Sequence, residues 1–146
     1  MSWLFVILAF LLASVKTGKP KYQKVSVIIP AFNEEDTVAR VVEVVKKAKY
    51  VDEIIVVNDN SIDKTNKLLM KLQKKDRRIK IINHSKNLGT YHSRIEGVLN
   101  SKSEYILFLD PDDMIINPFL FEKVYDNYLN YNLDISDNIS YDVSYF

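Results

Sequence analysis

The sequence predicts an α/β domain built on a mostly parallel sheet, and three observations support this fold class. Short β-branched apolar runs alternate with segments of helical spacing along most of the chain. The apolar runs have no alternating polar face, which is typical of strands buried on both sides of a parallel sheet. Polar clusters directly follow these runs, and ligands of such sheets bind beyond the carboxyl ends of the strands.

The composition is that of one small globular domain. The chain has 146 residues, of which 47% are hydrophobic and 27% are charged, enough for a single core. Its 20 basic and 19 acidic residues give a net charge of +1, so nothing indicates a nucleic-acid partner. The absence of cysteine excludes disulfides and thiol chemistry.

An apolar stretch from Trp3 to Ala13 precedes the predicted domain, and several lysines follow it from Lys16 onward. It is shorter than the ~20 residues that span a bilayer. We predict a signal peptide or short signal anchor over residues 1–15 and a linker over residues 16–24, the alternative being a buried amino-terminal helix. With two glycosylation sequons, this favours a secretory or membrane-associated protein, with membrane contact through residues 3–15; otherwise the chain would be cytoplasmic.

The first two strand–helix units follow this segment. Residues 25–29 form a β-branched run, which Pro30 is expected to end because proline cannot donate to a ladder. Residues 53–57 make a second buried strand. The helix after each strand is indicated by apolar positions at helical spacing: Val38, Val41, Val42, Val45 and Ala48 for the first, and Leu68, Leu69 and Leu72 for the second.

Two further units complete the predicted sheet. The third strand contains Ile79, Ile81 and Ile82, and the helix after it should bury Ile95, Val98 and Leu99. Residues 105–109 form the fourth strand, with a helix beyond Pro118 and a last strand over residues 139–145. Right-handed crossovers then favour strand order 3-2-1-4 with helices on both faces, so that the four polar loops meet at one edge.

Asp110, Asp112 and Asp113 lie directly after the fourth strand, in the motif Asp-Pro-Asp-Asp. Three neighbouring carboxylates repel one another and favour a bound cation. Carboxylates are hard ligands, and with no cysteine and two histidines the pattern indicates Mg²⁺ or Mn²⁺ rather than structural zinc. The alternative is a solvated Asp-Pro turn that closes the strand.

Residues 25–133 resemble the amino-terminal, nucleotide-sugar-binding portion of family 2 glycosyltransferases, which have the GT-A fold. Four motifs carry the resemblance: VSVIIPAFNEE at 25–35, IVVNDNSID at 55–63, NLG at 87–89 followed by Arg94, and FLDPDD at 108–113. The resemblance implies a Rossmann-like sheet and transfer of a sugar, with inversion, from a nucleotide-sugar donor to an acceptor hydroxyl. By family frequency the donor would be a UDP-sugar.

The resemblance also implies roles for individual residues. Asp59 would accept a hydrogen bond from the uracil imide, and Arg94 would face the diphosphate. Asn58 departs from the family, which usually has a second aspartate there. The implied nucleotide-sugar contacts are Pro30, Ala31, Asn33, Glu34, Asp59, Arg94 and Asp110, and the implied ligands of Mn²⁺ or Mg²⁺ are Asp110, Asp112 and Asp113.

The family places its general base in an acceptor-binding half, which we expect beyond Phe146, so the predicted domain over residues 25–146 is truncated. The acceptor, whether glycan, lipid or protein, is not indicated. Three hypotheses follow: the donor-binding portion of a glycosyltransferase, a nucleotide-sugar-binding module or inactive fragment without transferase activity, and a non-catalytic interaction domain.

Overall fold

The computed structural model describes residues 5–6, 8–10, 24–103, 105–112 and 141–142, which form seven strands and three helices. The helix predicted beyond Pro118, most of the predicted last strand and Asp113 lie outside these residues. In chain order the elements are β1 (Phe5–Val6), β2 (Leu8–Phe10), β3 (Val25–Ala31), α1 (Val38–Lys46), β4 (Val51–Asn58), α2 (Thr65–Lys75), β5 (Ile79–Asn83), α3 (Thr90–Leu99), β6 (Tyr105–Phe108) and β7 (Tyr141–Asp142).

The main sheet has five strands in the order β2-β6-β3-β4-β5. Strands β3, β4, β5 and β6 are parallel and correspond to predicted strands one to four, so the predicted order 3-2-1-4 is confirmed. In register, Ile28 of β3 lies between Ile55 of β4 and Phe108 of β6. The strand order therefore reverses beside β3, which is where α/β sheets form their ligand crevice.

Pro30 lies inside β3, because the strand continues to Ala31. The prediction that Pro30 ends the strand is therefore wrong, and β3 extends two residues beyond the predicted range 25–29. The carbonyl of Ile28 accepts from Leu109 N–H on the β6 side, and Pro30 faces the same side. Pairing with β6 stops at Ile28 and Phe108, so Pro30 reaches a position where no N–H is needed for the ladder.

Two short segments of the amino end are strands. β2 pairs antiparallel with β6, with Leu8 opposite Leu107, and β1 pairs antiparallel with β7. The alternative of a buried amino-terminal helix is therefore wrong for these residues, while the signal and linker boundaries stay predictions. Across the described ranges, we find no helix with the length and apolar character that crossing a bilayer requires.

The two faces of the sheet are covered by different helices. Helices α1 and α2 cover one face, and all four α1 positions that are buried there, Val38, Val41, Val42 and Val45, belong to the predicted apolar set. The other face has a smaller core of Ile28, Ile55, Val57 and Ile106, against which Val98 of α3 packs. Successive strand residues alternate between these cores because their side chains point to opposite faces.

Helix α3 packs against the sheet through Val98, one of its three predicted apolar positions, and through two small residues that were not predicted. Its buried residues are Ser93 and Gly97, whereas Ile95 and Leu99 are 40% and 75% exposed. A Cβ at position 97 would overlap Cγ2 of Ile28, so only glycine allows the helix this close to β3. The small residues therefore face the sheet, and the prediction of a buried Ile95 and Leu99 is wrong.

The parallel strands begin at one edge of the sheet, here called the amino edge, where one carboxylate is buried. Glu53 is 7% exposed. It accepts hydrogen bonds from Ser26 Oγ (2.7 Å) and Lys102 N–H (3.1 Å), and it pairs with the Lys80 ammonium. Burial raises the pKa of Glu53, but the bonds from Lys80, Ser26 and Lys102 outweigh it and hold that pKa below its ordinary value.

Candidate functional site

A cleft of about 280 Å³ opens at the opposite edge, called the carboxyl edge, where the parallel strands end. Its walls come from the end of β3, the loop after β4, the first turn of α3 and the turn after β6. The lining residues are Pro30, Ala31, Phe32, Glu34, Asp59, Thr90, Ser93, Asp110, Pro111 and Asp112. Asp59 and Asp112, which are 53 positions apart in the sequence, thus line one cleft. This agrees with the prediction that the polar loops meet at one edge of the sheet.

Six of the predicted site residues line this cleft, namely Pro30, Ala31, Glu34, Asp59, Asp110 and Asp112. Asn33 and Arg94 do not line it, and Asp113 lies outside the described residues. The nucleotide and metal contacts assigned to all these residues stay predictions. Four lining residues were not predicted, namely Phe32, Thr90, Ser93 and Pro111. Phe32 and Pro111 lie inside motifs that were singled out in the sequence, whereas Thr90 and Ser93 have no charged or metal-ligating side chain that would mark them as part of a site.

Asn33 connects the loop after β3 to the loop after β4. It has a positive φ of 54°, a conformation that asparagine tolerates better than most residues. Its N–H donates to Ser61 Oγ (3.0 Å), and its Oδ1 accepts from Ile62 N–H (2.9 Å). The Asn33 side chain is thus directed at the neighbouring backbone, and it shapes the cleft by holding the two loops together.

Glu34 and Glu35 extend this connection between the loops. Glu34 N–H donates to Thr65 Oγ1 (2.8 Å). Glu35 N–H donates to Asp63 Oδ2 (3.1 Å), and Glu35 Oε2 accepts from Lys64 N–H (2.9 Å). Burial raises the pKa of Asp63, but its bonds with Thr65 and Glu35 hold it below its ordinary value. Each loop therefore satisfies backbone donors of the other, so the cleft wall is preorganised.

Asp59 is the most enclosed carboxylate of the cleft, with 3% of the residue exposed. Its Oδ1 lies 2.7 Å from His84 Nδ1 and accepts from Leu88 N–H (2.8 Å), and its Oδ2 accepts from Gly89 N–H (2.7 Å). Gly89 has a φ of +87°, which only glycine adopts easily. Burial raises the pKa of Asp59, but the bonds from Leu88, His84 and Gly89 outweigh it and lower that pKa, so the carboxylate is ionised.

Asn58, where the family usually has aspartate, uses both ends of its amide. Its Nδ2 donates to Asn83 Oδ1 (2.8 Å), and its Oδ1 accepts from Ser61 N–H (3.2 Å). A carboxylate accepts hydrogen bonds but cannot donate one to Asn83. The amide therefore suits the pair that ends β4 and β5, and it leaves Asp59 as the charged residue of this loop that lines the cleft.

Arg94 is paired with Asp110, which lines the cleft. Its Nη2 donates to both carboxylate oxygens at 2.9 Å, and its guanidinium lies 5.8 Å from the centre of the Phe108 ring. The two side chains are 31% and 37% exposed, so the pair is accessible to solvent. Helix α3 thus brings a cation to the same end of the cleft as the aspartates after β6.

The cleft offers oxygen ligands of the kind that Mg²⁺ and Mn²⁺ prefer. Asp110 and Asp112 both line it. Among the described residues we find no group of three or more His, Cys, Asp or Glu arranged around a common point, and the third predicted ligand, Asp113, lies outside them. Two carboxylates on one short turn fit a divalent cation that takes its other ligands from water or a diphosphate.

Residues 26–143 match the sequence profile of the family described as Glycosyl transferase family 2. This match covers well over half of the chain. The chain belongs to glycosyltransferase family 2. Its membership, predicted from four motifs, is confirmed by this match over almost the whole predicted domain.

Two similar proteins show how their lengths compare with that of this chain. It is 34% identical over 96 residues to the GalNAc(5)-diNAcBac-PP-undecaprenol beta-1,3-glucosyltransferase of Campylobacter jejuni, covering 64% of this chain and 31% of that protein. It also resembles residues 1–349 of S. aureus TarS, crystallised in complex with UDP, with a TM-score of 0.66, 26% identity and coverage of 75% and 33%.

The mannosyltransferase PcManGT of Pyrobaculum calidifontis, crystallised with GDP-Man and Mn²⁺, shares the fold with a TM-score of 0.68 at 16% identity. The similarity covers 78% of this chain and 34% of that one. The GT-A type, Rossmann-like sheet predicted for this family 2 chain is thereby confirmed. This chain spans about a third of the length of the glucosyltransferase, of the TarS fragment 1–349 and of PcManGT.

Proposed function

We propose that this family 2 glycosyltransferase chain binds the donor and the metal for an inverting transfer of sugar from a UDP-sugar to an acceptor hydroxyl. One observation carries the proposal: three aspartates from two loops, Asp59, Asp110 and Asp112, line a single cleft at the carboxyl edge of a GT-A sheet. A nucleotide diphosphate needs such a cleft, with an acceptor for the base at one end and cation ligands at the other.

The base and ribose would bind along Pro30, Ala31, Glu34 and Asp59. The imide N–H of uracil is a donor, and the Asp59 carboxylate is an ionised acceptor inside the cleft. A charge-assisted hydrogen bond of this kind is stronger than one between neutral groups. The fold similarity to TarS, whose structure was determined with UDP at 26% identity to this chain, supports uridine as the nucleoside.

The diphosphate and metal would bind at the other end of the cleft. Asp110 and Asp112 would hold Mn²⁺ or Mg²⁺, with Asp113 as the third carboxylate of the motif. When bound, the cation supplies Lewis-acid stabilisation of the negative charge that develops on the leaving diphosphate. Arg94, 2.9 Å from both oxygens of Asp110, would add a second positive charge near the phosphates.

Sugar transfer also requires an acceptor site and a carboxylate base that removes the proton of the attacking hydroxyl. We assign neither role to a described residue. This chain spans about a third of the length of the compared chains. We therefore propose that residues 25–112 bind the donor, and that sugar transfer is carried out by the whole enzyme of which they form a part. A nucleotide-sugar-binding module without transferase activity would share this donor site.

Isothermal titration of UDP, with and without Mn²⁺, tests the proposal. We expect wild type to bind UDP with a Mn²⁺-dependent heat, and Asp112→Asn to bind at least about tenfold more weakly in Mn²⁺, because one charged ligand is lost. Asp52→Asn is a matched control, since Asp52 is an exposed aspartate at the opposite, amino edge of the sheet. If wild type shows no Mn²⁺-dependent heat with UDP, the donor site is refuted.

A further inference from the structure

We infer that His84 is a positioning residue for base recognition. It holds the Asp59 carboxylate so that Oδ2 of Asp59 accepts a hydrogen bond from the imide N–H of uracil. The inference rests on the proposed function, because it requires Asp59 to face the nucleotide base. His84 lies outside the four motifs that mark the family in this sequence. Only the folded chain brings it to Asp59, 25 residues away.

The backbone places His84 firmly against the end of β4. It is the first residue after β5, and its N–H donates to the carbonyl of Asn58 (3.0 Å), the last residue of β4. Its ring Nδ1 lies 2.7 Å from Asp59 Oδ1, and the His84 and Asp59 side chains are only 9% and 4% exposed. This buried contact leaves little freedom for either side chain to rotate.

The partners of Asp59 decide which atom of His84 carries a proton. An ionised carboxylate only accepts hydrogen bonds, so His84 Nδ1 must be a donor in this pair. Oδ1 then accepts two hydrogen bonds, from His84 and Leu88, whereas Oδ2 accepts one, from Gly89. The carboxylate therefore keeps its largest spare acceptor capacity on Oδ2, in a residue that lines the cleft.

This arrangement predicts selectivity among pyrimidine nucleotides. Uracil presents an N–H at ring position 3, which a fixed carboxylate oxygen accepts, whereas cytosine presents an unprotonated nitrogen there and would meet the carboxylate with a second acceptor. A site built to satisfy a ligand N–H rejects an analogue that lacks it much more strongly than an apolar site does. Without His84, Oδ1 loses a donor and the carboxylate turns more freely, so the preference for uracil declines.

The experiment compares the affinities of the full chain for UDP and CDP in Mn²⁺, by calorimetry. Wild type should prefer UDP by at least about tenfold. His84→Ala should weaken UDP binding by about five- to tenfold and change CDP binding little. His84→Asn should keep most of the preference, because its amide N–H occupies nearly the position of Nδ1. His92→Ala, at the exposed second histidine of the chain, should match wild type.

The results separate the inference from the proposed function. If wild type prefers UDP, Asp59→Asn abolishes the preference and His84→Ala retains it, the inference is overturned and the donor site stands. If His84→Ala weakens UDP and CDP equally, His84 is merely structural and the inference is overturned too. If wild type binds neither nucleotide in Mn²⁺, both proposals are overturned.

A measurement on wild type keeps the inference testable if His84→Ala does not fold. The ¹⁵N resonance of His84 Nδ1 in the free chain should show a protonated Nδ1, and it should move when UDP saturates the site, because Asp59 then shares its charge with the base. The resonances of His92 should stay in place. An unprotonated His84 Nδ1, or a resonance unaffected by saturating UDP, would contradict the inference.

Discussion

The amino and carboxyl edges of the sheet each contain a buried carboxylate from the same stretch of chain, Glu53 near the start of β4 and Asp59 directly after its end. Both have a pKa below the ordinary value, although burial alone would raise it. Glu53 is enclosed by Ser26, Lys80 and Lys102, whereas Asp59 lines an open cleft. Two similar buried carboxylates therefore differ in their surroundings: Glu53 is surrounded by protein groups at the amino edge, whereas Asp59 lines the candidate cleft at the carboxyl edge.

The direction of the helices explains part of this difference. Helices α1 and α2 end at the amino edge, where their last carbonyls favour cations. Arg78 lies there: Nη2 donates to the Lys46 carbonyl at the end of α1 (2.8 Å) and to Asp76 Oδ2 (2.8 Å), and Nη1 donates to the Val51 carbonyl (2.9 Å). At the carboxyl edge the helices begin, so the positive ends of their dipoles favour the anionic groups of a ligand.

Glu53→Ala should have the largest effect on stability, because it removes the carboxylate that accepts hydrogen bonds from several groups at the amino edge. Ser26 Oγ and the Lys102 N–H would lose their partner, and the free energy of unfolding should fall by about 3 kcal/mol. Lys80 is partly exposed and contributes less. Urea unfolding followed by circular dichroism measures the change, with Asp52→Ala as the exposed control on the same strand. A loss below about 1 kcal/mol would show that the two edges do not differ in this way.

Gly97→Ala should destabilise the chain by disturbing the packing of α3 against β3, in the part of the sheet that lies between the two edges. The added methyl would meet Cγ2 of the fully buried Ile28, and overpacking outweighs the better helix propensity of alanine, for a net loss of about 1 to 2 kcal/mol. In Gly97→Ala combined with Ile28→Ala, the loss in urea unfolding should be smaller than the sum of the single losses. Strict additivity would mean that α3 does not depend on this close approach.

Acid should weaken the amino edge through Glu53. Its pKa in the folded chain is below the ordinary value of 4.5, so the carboxylate stabilises the fold above pH 4.5, and this contribution is lost as the pH falls from there through the folded pKa. Glu53→Gln cannot titrate, and its unfolding free energy should fall less steeply with acid, by at most about 1.4 kcal/mol per pH unit. Parallel slopes for the two chains below pH 4.5 would contradict this origin of acid sensitivity.

Asp112→Asn should have the smallest effect on stability, although it lies at the proposed metal site. Asp112 is exposed in the turn after β6, so its replacement should change the free energy of unfolding by less than about 0.5 kcal/mol. The same urea titration tests this. Asp112→Asn should thus lose UDP affinity but little stability, whereas Glu53→Ala should lose stability. A loss above about 1 kcal/mol would mean that the carboxyl edge also depends on its carboxylates for stability.

Much of the fold was predictable because it depends on local pattern. The four α1 valines at helical spacing are all buried, and the β-branched runs became β3 and β4, with strand ends shifted by one or two residues. Local pattern failed for α3, where the apolar Ile95 and Leu99 are exposed and Ser93 and Gly97 are buried. There, close packing against Ile28 decided the helix face, and helical spacing alone contains no information about that distance.

The candidate site divides in the same way. The sequence by itself determined which residues follow each strand, so Asp59, Asp110 and Asp112 were expected at one edge and are found in one cleft. Only the tertiary structure decided their partners: Asn33 bonds to the second loop, His84 to Asp59 and Arg94 to Asp110, across 16 to 29 positions. Strand periodicity is set by near neighbours, whereas such pairings depend on the register and crossover direction that the folded sheet establishes.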